Sequence, residues 1–268
     1  MKKLVSVILA VALLSLCLAG CGAADDKKTI VVGASASPHA EILESVKSAL
    51  AEQGYTLDIR VYDDYVLPNT ATEDGDLDAN YFQHGPYLDS FNEENGTHLV
   101  SVAPIHYEPY GLYAGTAKAL ADLKDGDKIA VPNDPTNEAR ALQLLAAQGL
   151  ITVREGAGLT ATKNDISENA HNYEIVEMEA AVIPNCLDSV AVAVINGNYA
   201  IGAGLKVSNA LAVEDKNSEA AQTYANILVV KEGNENDEGI KALAAALQTA
   251  EVKSFIEGKY DGAVVAIF

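Results

Sequence analysis

Three arginines, Arg60, Arg140 and Arg154, are all that this chain carries, and its 18 basic side chains face 38 acidic ones in 268 residues. A formal charge of -20 argues against a nucleic-acid partner and against a basic membrane-binding surface, and fits a solubilising acidic coat. Tryptophan is absent, and cysteine is confined to Cys17, Cys21 and Cys186. The first two fall in the N-terminal run described below, so Cys186 stands alone, no disulfide framework is expected, and the thiol reads as packed rather than nucleophilic. Five histidines (His39, His84, His98, His106, His171) are scattered, with no H-x-H or H-E-x-x-H pair to bind zinc. Gly33-Ala34-Ser35-Ala36-Ser37 lacks the second glycine of a nucleophile elbow. Gly156-Ala157-Gly158 and Gly202-Ala203-Gly204 each lack the third glycine of a dinucleotide loop. Neither catalysis nor a cofactor nor a resident metal is expected. No internal repeat or low-complexity tract appears.

What is present begins with a leader. Lys2 and Lys3 precede an apolar run from Leu4 to Ala19, closed by Leu18-Ala19-Gly20-Cys21. A basic start, an apolar run and small residues before a cut describe a secretory signal over residues 1–20. The run is shorter than the roughly 20 residues a spanning helix needs. The L-A-G-C ending resembles the bacterial lipobox, which would make Cys21 the lipidated N-terminus and residues 21–28 a tether. Loss of the leader takes two of the 18 basic side chains, leaving 16 against 38. The expected location is the extracytoplasmic face of a cell membrane.

The remainder alternates strands and helices. Thr29–Gly33 reads as a strand, Ser37 and Pro38 as a helix start, and Leu57, Ile59 and Val61 as a half-buried strand, a βαβ unit implying a parallel sheet. A helix over Gly85–Glu94 and a strand over Leu99–Ala103 follow, then an extended run from Pro104 to Gly115 suited to crossing between lobes. A second α/β series runs through Lys128–Val131, Pro135–Gln148, Ile175–Val176 and the unbroken apolar Ala191–Ile195. Tyr224–Val230 reads as the return crossing, and Asp237–Glu257 as one helix. The expectation is an α/β, two-lobed chain with a ligand cleft between helix-covered sheets. Its first lobe spans 29–112 and 218–268, its second 113–217.

The stretch Asp64–Tyr87 holds Tyr65, Tyr81, Phe82, His84 and Tyr87 among Pro68, Gly75, Gly85 and Pro86. Neither a 3.6 nor a 2 period fits these rings, which places them on loops and helix starts as binding residues. Arg60 and Arg154 read as surface charges. Arg140 lies one turn into a helix opened by Asp134 and Pro135, where guanidinium and free N–H groups could clamp a carboxylate. Asn196, after the buried strand, and Asn226, at the return crossing, could donate to a carboxylate and accept from an ammonium.

Several of these runs resemble the methionine-binding lipoproteins of bacterial ABC importers, the MetQ/NlpA family. They are Asp64–Asn69, Gly75–Asn80, Phe82-Gln83-His84, Pro86–Asp89, Val131–Asn137, Ala193–Asn196 and Val213–Lys216. The likeness extends from about Ile30 to the C-terminus. It implies a type II-like periplasmic-binding-protein fold that closes on free L-methionine and delivers it to an ABC permease with its ATPase. It also implies aromatic contacts from Tyr65, Phe82, His84 and Tyr87, a carboxylate grip from Arg140, and polar contacts from Asn196 and Asn226. Two departures stand out. Tyr81 replaces a small residue and could alter the pocket wall, and Asn185-Cys186 stand where Arg-Ser is frequent. Relatives that bind other amino acids or methionine-containing dipeptides leave those ligands open. A metal-capture lipoprotein and a surface enzyme using Cys186 or a histidine are the alternatives from other classes.

Overall fold

A computed structural model of the chain describes residues 28–215 and 223–268. The leader, Cys21 and the expected 217/218 boundary lie outside them. β1 (Lys28–Ser35), α1 (Glu41–Glu52) and β2 (Tyr55–Tyr62) form the βαβ unit, β1 and β2 pairing in parallel along their whole length. α1 docks because Ile42, Leu43, Val46 and Leu50 recur at helical spacing and are all buried. Ser37 is extended, but its hydroxyl donates to the Glu41 carboxylate instead of capping a backbone N–H, and an irregular turn over Ala36–Ala40 leads into the helix.

α2 (Leu67–Asp74), β3 (Ala79–His84), α3 (Gly85–Asn95) and β4 (Leu99–Tyr107) complete the first pass. After a crossing at residues 108–110 the chain builds a second sheet. Its elements are β5 (Gly111–Ala114), β6 (Lys128–Pro132), α4 (Pro135–Ala147), a small ribbon of β7 (Thr152–Val153) and β8 (Ile166–Glu168), β9 (Glu174–Met178), β10 (Val192–Ile195), α5 (Gly197–Gly202) and β11 (Ala212–Val213). The chain then returns through β12 (Asn226–Lys231), α6 (Glu238–Leu247), α7 (Ala250–Tyr260) and β13 (Val265–Ala266).

The first sheet has the order β13-β4-β12-β3-β1-β2 and the second β11-β5-β10-β6-β9. β1 and β2 are parallel as expected, and β3 joins them in parallel, but the sheet, expected to be parallel, is mixed. β12 re-enters from the other sheet and pairs antiparallel with both β3 and β4. In β10, Val192 and Val194 pack into one apolar cluster while Ala193 and Ile195 pack into another, so an unbroken apolar run fits a strand covered on both faces. The helix expected over Asp237–Glu257 is two helices. Gln248 leaves the helical region, and the Thr249 hydroxyl accepts from the Val252 N–H to start α7. Among the described residues no helix is long and apolar enough to cross a membrane.

Candidate functional site between the two sheets

β3 has an irregular register that shapes the site. Its pairing with β12 runs His84–Asn226, Gln83–Ile227, then Tyr81–Leu228, passing over Phe82. Such a bulge re-aims side chains. Asn80 and Gln83 would face opposite sides of a regular strand, yet Gln83 Nε2 donates to Asn80 Oδ1 at 2.8 Å. Asn69 and Thr72 of α2 close this buried amide network. Phe82 and His84 are therefore strand residues rather than loop residues. The period-2 test failed on them because the bulge breaks the alternation. Tyr81 points the other way, fully buried in the main core beside His39 and His106, and forms no part of the pocket wall.

One cavity lies between the sheets. All seven residues singled out in the sequence line it: Tyr65, Phe82, His84, Tyr87, Arg140, Asn196 and Asn226. At one end the rings gather, Tyr65 lying 5.8 Å from Phe82 and 5.7 Å from Tyr87 between centroids. His84 accepts from the Tyr87 N–H through Nδ1 and faces Asn137 Oδ1 through Nε2 at 3.2 Å. Burial, and then the charge of Arg140, lower its pKa to about 3, so the ring is neutral and serves as an aromatic wall.

At the other end Arg140 is 4% exposed and lies between two rings, its Cζ 4.4 Å from the Tyr110 centroid and 4.3 Å from that of Tyr224. Its Nε and one terminal nitrogen grip Glu214 at 2.9 and 2.6 Å, and the same nitrogen donates to the Glu108 carbonyl at 2.8 Å. Burial opposes ionisation on both partners, but each holds the other charged. The arginine pKa is raised and the Glu214 carboxyl kept below the usual range. Asp134 caps the helix start, as the sequence allowed, and its carboxylate takes up the Asn137 N–H at 3.0 Å, one of the groups expected to face an anion. Arg60 and Arg154 are surface residues, paired with Asp58 and Asp165. Cys186 is half-buried in an apolar cluster, and burial raises its thiol pKa.

Asn196 donates to Asn137 Oδ1 at 2.8 Å and accepts from the Tyr110 hydroxyl at 3.0 Å, which fixes its amide. Contacts also span the two sheets' lobes. The Tyr65 hydroxyl donates to Asn198 Oδ1 at 2.5 Å, and the Tyr199 hydroxyl to the Asp63 carbonyl at 3.0 Å. The cavity is shut between them.

Sequence reasoning missed Glu108, Asn137, Asn198 and Glu214. Asn137 and Glu214 sat inside motifs already noted; nothing local marked the other two. The scattered histidines partly converge, for His39, His106 and Glu108 place ligand atoms within 4.8 Å of one another, a spacing that a cation could bridge. Their facing atoms already have protein partners. His39 Nε2 meets Asn226 Oδ1 at 2.9 Å, and His106 Nε2 meets Glu108 Oε1 at 2.8 Å. Burial lowers the two imidazole pKa values to about 4 and about 3, so these are hydrogen bonds of neutral rings rather than ion pairs.

Two α/β lobes joined by two crossings and closed on one charged, ring-lined cavity define a substrate-binding protein of the periplasmic-binding-protein fold. The chain belongs to the NlpA lipoprotein family, whose description matches residues 30–268. It is 42% identical to the D-methionine-binding lipoprotein MetQ of Salmonella typhimurium over 257 residues, 94% of this chain and 93% of that protein. Among solved structures, a lipoprotein from Ruminococcus gnavus is 59% identical with a TM-score of 0.89, covering 90% of this chain and 100% of that one. A nutrient-binding protein from Burkholderia cenocepacia bound to methionine is 42% identical with a TM-score of 0.85, covering 89% of this chain and 100% of that one.

Proposed function

We propose that this chain is a lipid-anchored extracytoplasmic protein that captures free methionine and delivers it to an ABC permease and its ATPase, with Cys21 as the anchor. The reading rests above all on one observation: a base (Arg140), an acid (Glu108) and a group of rings line the same closed cavity. Methionine bound in the Burkholderia cenocepacia relative supports it. The thioether would lie among Tyr65, Phe82, His84 and Tyr87, where sulfur–aromatic contacts contribute about 0.3–1.5 kcal/mol each. A charged side chain entering that end would lose its hydration without gaining a partner. The carboxylate would meet Arg140, with Asn226 adding a polar contact and Asn196 bracing the wall. We place the lobe crossings at residues 108–110 and between β11 and β12.

Isothermal titration of ligand-stripped protein tests this reading, with both methionine enantiomers, other amino acids and methionine-containing dipeptides as titrants. Heat with methionine is expected. Silence with both enantiomers, alongside binding of another titrant, would replace methionine with that compound.

A further inference from the structure

Between α2 and β3 lies a polar layer where apolar packing would serve stability as well. Asn69 and Thr72 of α2 and Asn80 and Gln83 of β3 are all buried. Their amides close into a ring. Gln83 Nε2 donates to Asn69 Oδ1 at 2.5 Å and to Asn80 Oδ1 at 2.8 Å, while Asn69 Nδ2 donates back to Gln83 Oε1 at 3.0 Å. Asn80 Nδ2 donates to Asn69 Oδ1 at 3.1 Å and to the Thr72 hydroxyl at 2.8 Å, and that hydroxyl donates to the Pro68 carbonyl. Every buried side-chain polar atom of these four residues has a partner. A network satisfied in this way fixes one arrangement of the segments that carry it. Asn80 and Gln83 reach the same ring only because Phe82 is the extra residue of the β3 bulge. In a regular strand Phe82 would stand opposite Ile227, Gln83 would turn towards the core face occupied by Tyr81, and His84 would slip off Asn226.

We infer that Asn69, Thr72 and Asn80 are positioning residues for ligand-tail specificity: by holding Gln83 on the α2 side they keep the bulge in β3, and the bulge sets where Phe82 and His84 stand. None of the three lines the cavity, so they act on a ligand only through β3. The inference rests on the ring-lined tail site proposed above and deepens it. Apolar side chains in place of the ring would pack α2 on β3 in either register, because they have no partner to lose in a one-residue slip. The amides tolerate only the bulged register, since the slip would carry Gln83 away from Asn69 and Asn80 and leave buried donors and acceptors unpaired. The wall that meets the tail is therefore fixed from behind, by groups that the ligand never touches.

The test compares methionine with 2-aminobutyrate, which keeps the ammonium and the carboxylate but lacks the methylthio group. Calorimetric titration of the stripped full-length chain should show methionine preferred by about 100-fold, the discrimination expected when an apolar group fills a fitted pocket. Asn69→Leu deletes the hub of the ring at similar volume. It should weaken methionine while leaving 2-aminobutyrate nearly unchanged, so that the ratio falls to about 10-fold or less. Lower stability or looser lobes would weaken both ligands together and leave the ratio where it was. Thr72→Val keeps the side-chain shape and removes one hydrogen-bond acceptor from Asn80, so it should lower the ratio by roughly 5-fold. An unchanged ratio in folded Asn69→Leu would overturn the inference; if that variant does not fold, an unchanged ratio in Thr72→Val would overturn it. Equal affinity of the wild-type protein for the two ligands would instead take down the ring-lined tail site, and absence of methionine binding the amino-acid reading beneath it, each carrying the inference with it.

Discussion

At the scale of single residues, burial and charge set the behaviour of this cavity. Arg140 and Glu214 are stable only as a pair. Arg140→Ala is expected to abolish methionine binding and to cost about 3–5 kcal/mol of stability, because it leaves a buried carboxylate unpaired. Arg140→Met combined with Glu214→Gln should recover much of the stability without recovering binding. Denaturant melts and titration calorimetry on the three proteins separate the two roles, and retained affinity in the double variant would contradict the clamp. Acid sensitivity is the second expectation. His39, His84 and His106 have folded pKa values of about 4, 3 and 3 against an ordinary 6.5. Below pH 6.5 the unfolded chain takes up protons that the folded chain refuses. The stability these rings contribute is thus full above that pH and lost as pH falls towards 4 and 3, by up to about 1.4 kcal/mol per pH unit for each. The Glu108, Asp134 and Glu138 carboxyls, raised chiefly by burial and in Glu138 to about 7, work in the opposite direction and offset part of this loss. The melting temperature should drop between pH 6.5 and 5; a flat profile there would show that the rings are not buried neutral.

Elements place these residues, and here the sequence was legible to different depths. β10 and α4 were readable because an unbroken apolar run and an Asp-Pro helix start are local signals. The rings of Asp64–Tyr87 could be recognised as binding groups, but not as strand residues. The register shift at Phe82 arises from pairing with β12, more than 140 positions away. Separation along the chain also hid Glu108, since its surroundings depend on His39 and Gly197 meeting it in space. Amphipathic patterning carried α6 through α7 as one helix because the break at Gln248 leaves the apolar spacing nearly intact. Two substitutions test this level. Thr249→Ala should destabilise the fold by about 0.5–2 kcal/mol through loss of the α7 cap, and no change in the denaturation midpoint would mean that the cap is idle. Gly197→Ala puts a methyl into the Glu108 carboxylate, so it should weaken methionine binding more than it lowers the melting temperature.

For the whole molecule, the lobes are closed by Tyr65 with Asn198 and by Tyr199 with Asp63, and those contacts need no ligand atom. Closure and capture nevertheless share the Tyr65 ring, which packs 5.0 Å from that of Tyr199 while it faces the cavity. Small-angle scattering of stripped protein should therefore show a larger radius of gyration than the methionine-saturated form; identical curves would mean that the lobes do not open. The most direct single measurement is a crystal structure of the protein saturated with methionine. Density for the thioether among Tyr65, Phe82 and Tyr87, with the carboxylate on Arg140, is the expected result. Methionine density elsewhere, or an Arg140 side chain turned to bulk solvent with the cavity empty, would contradict it.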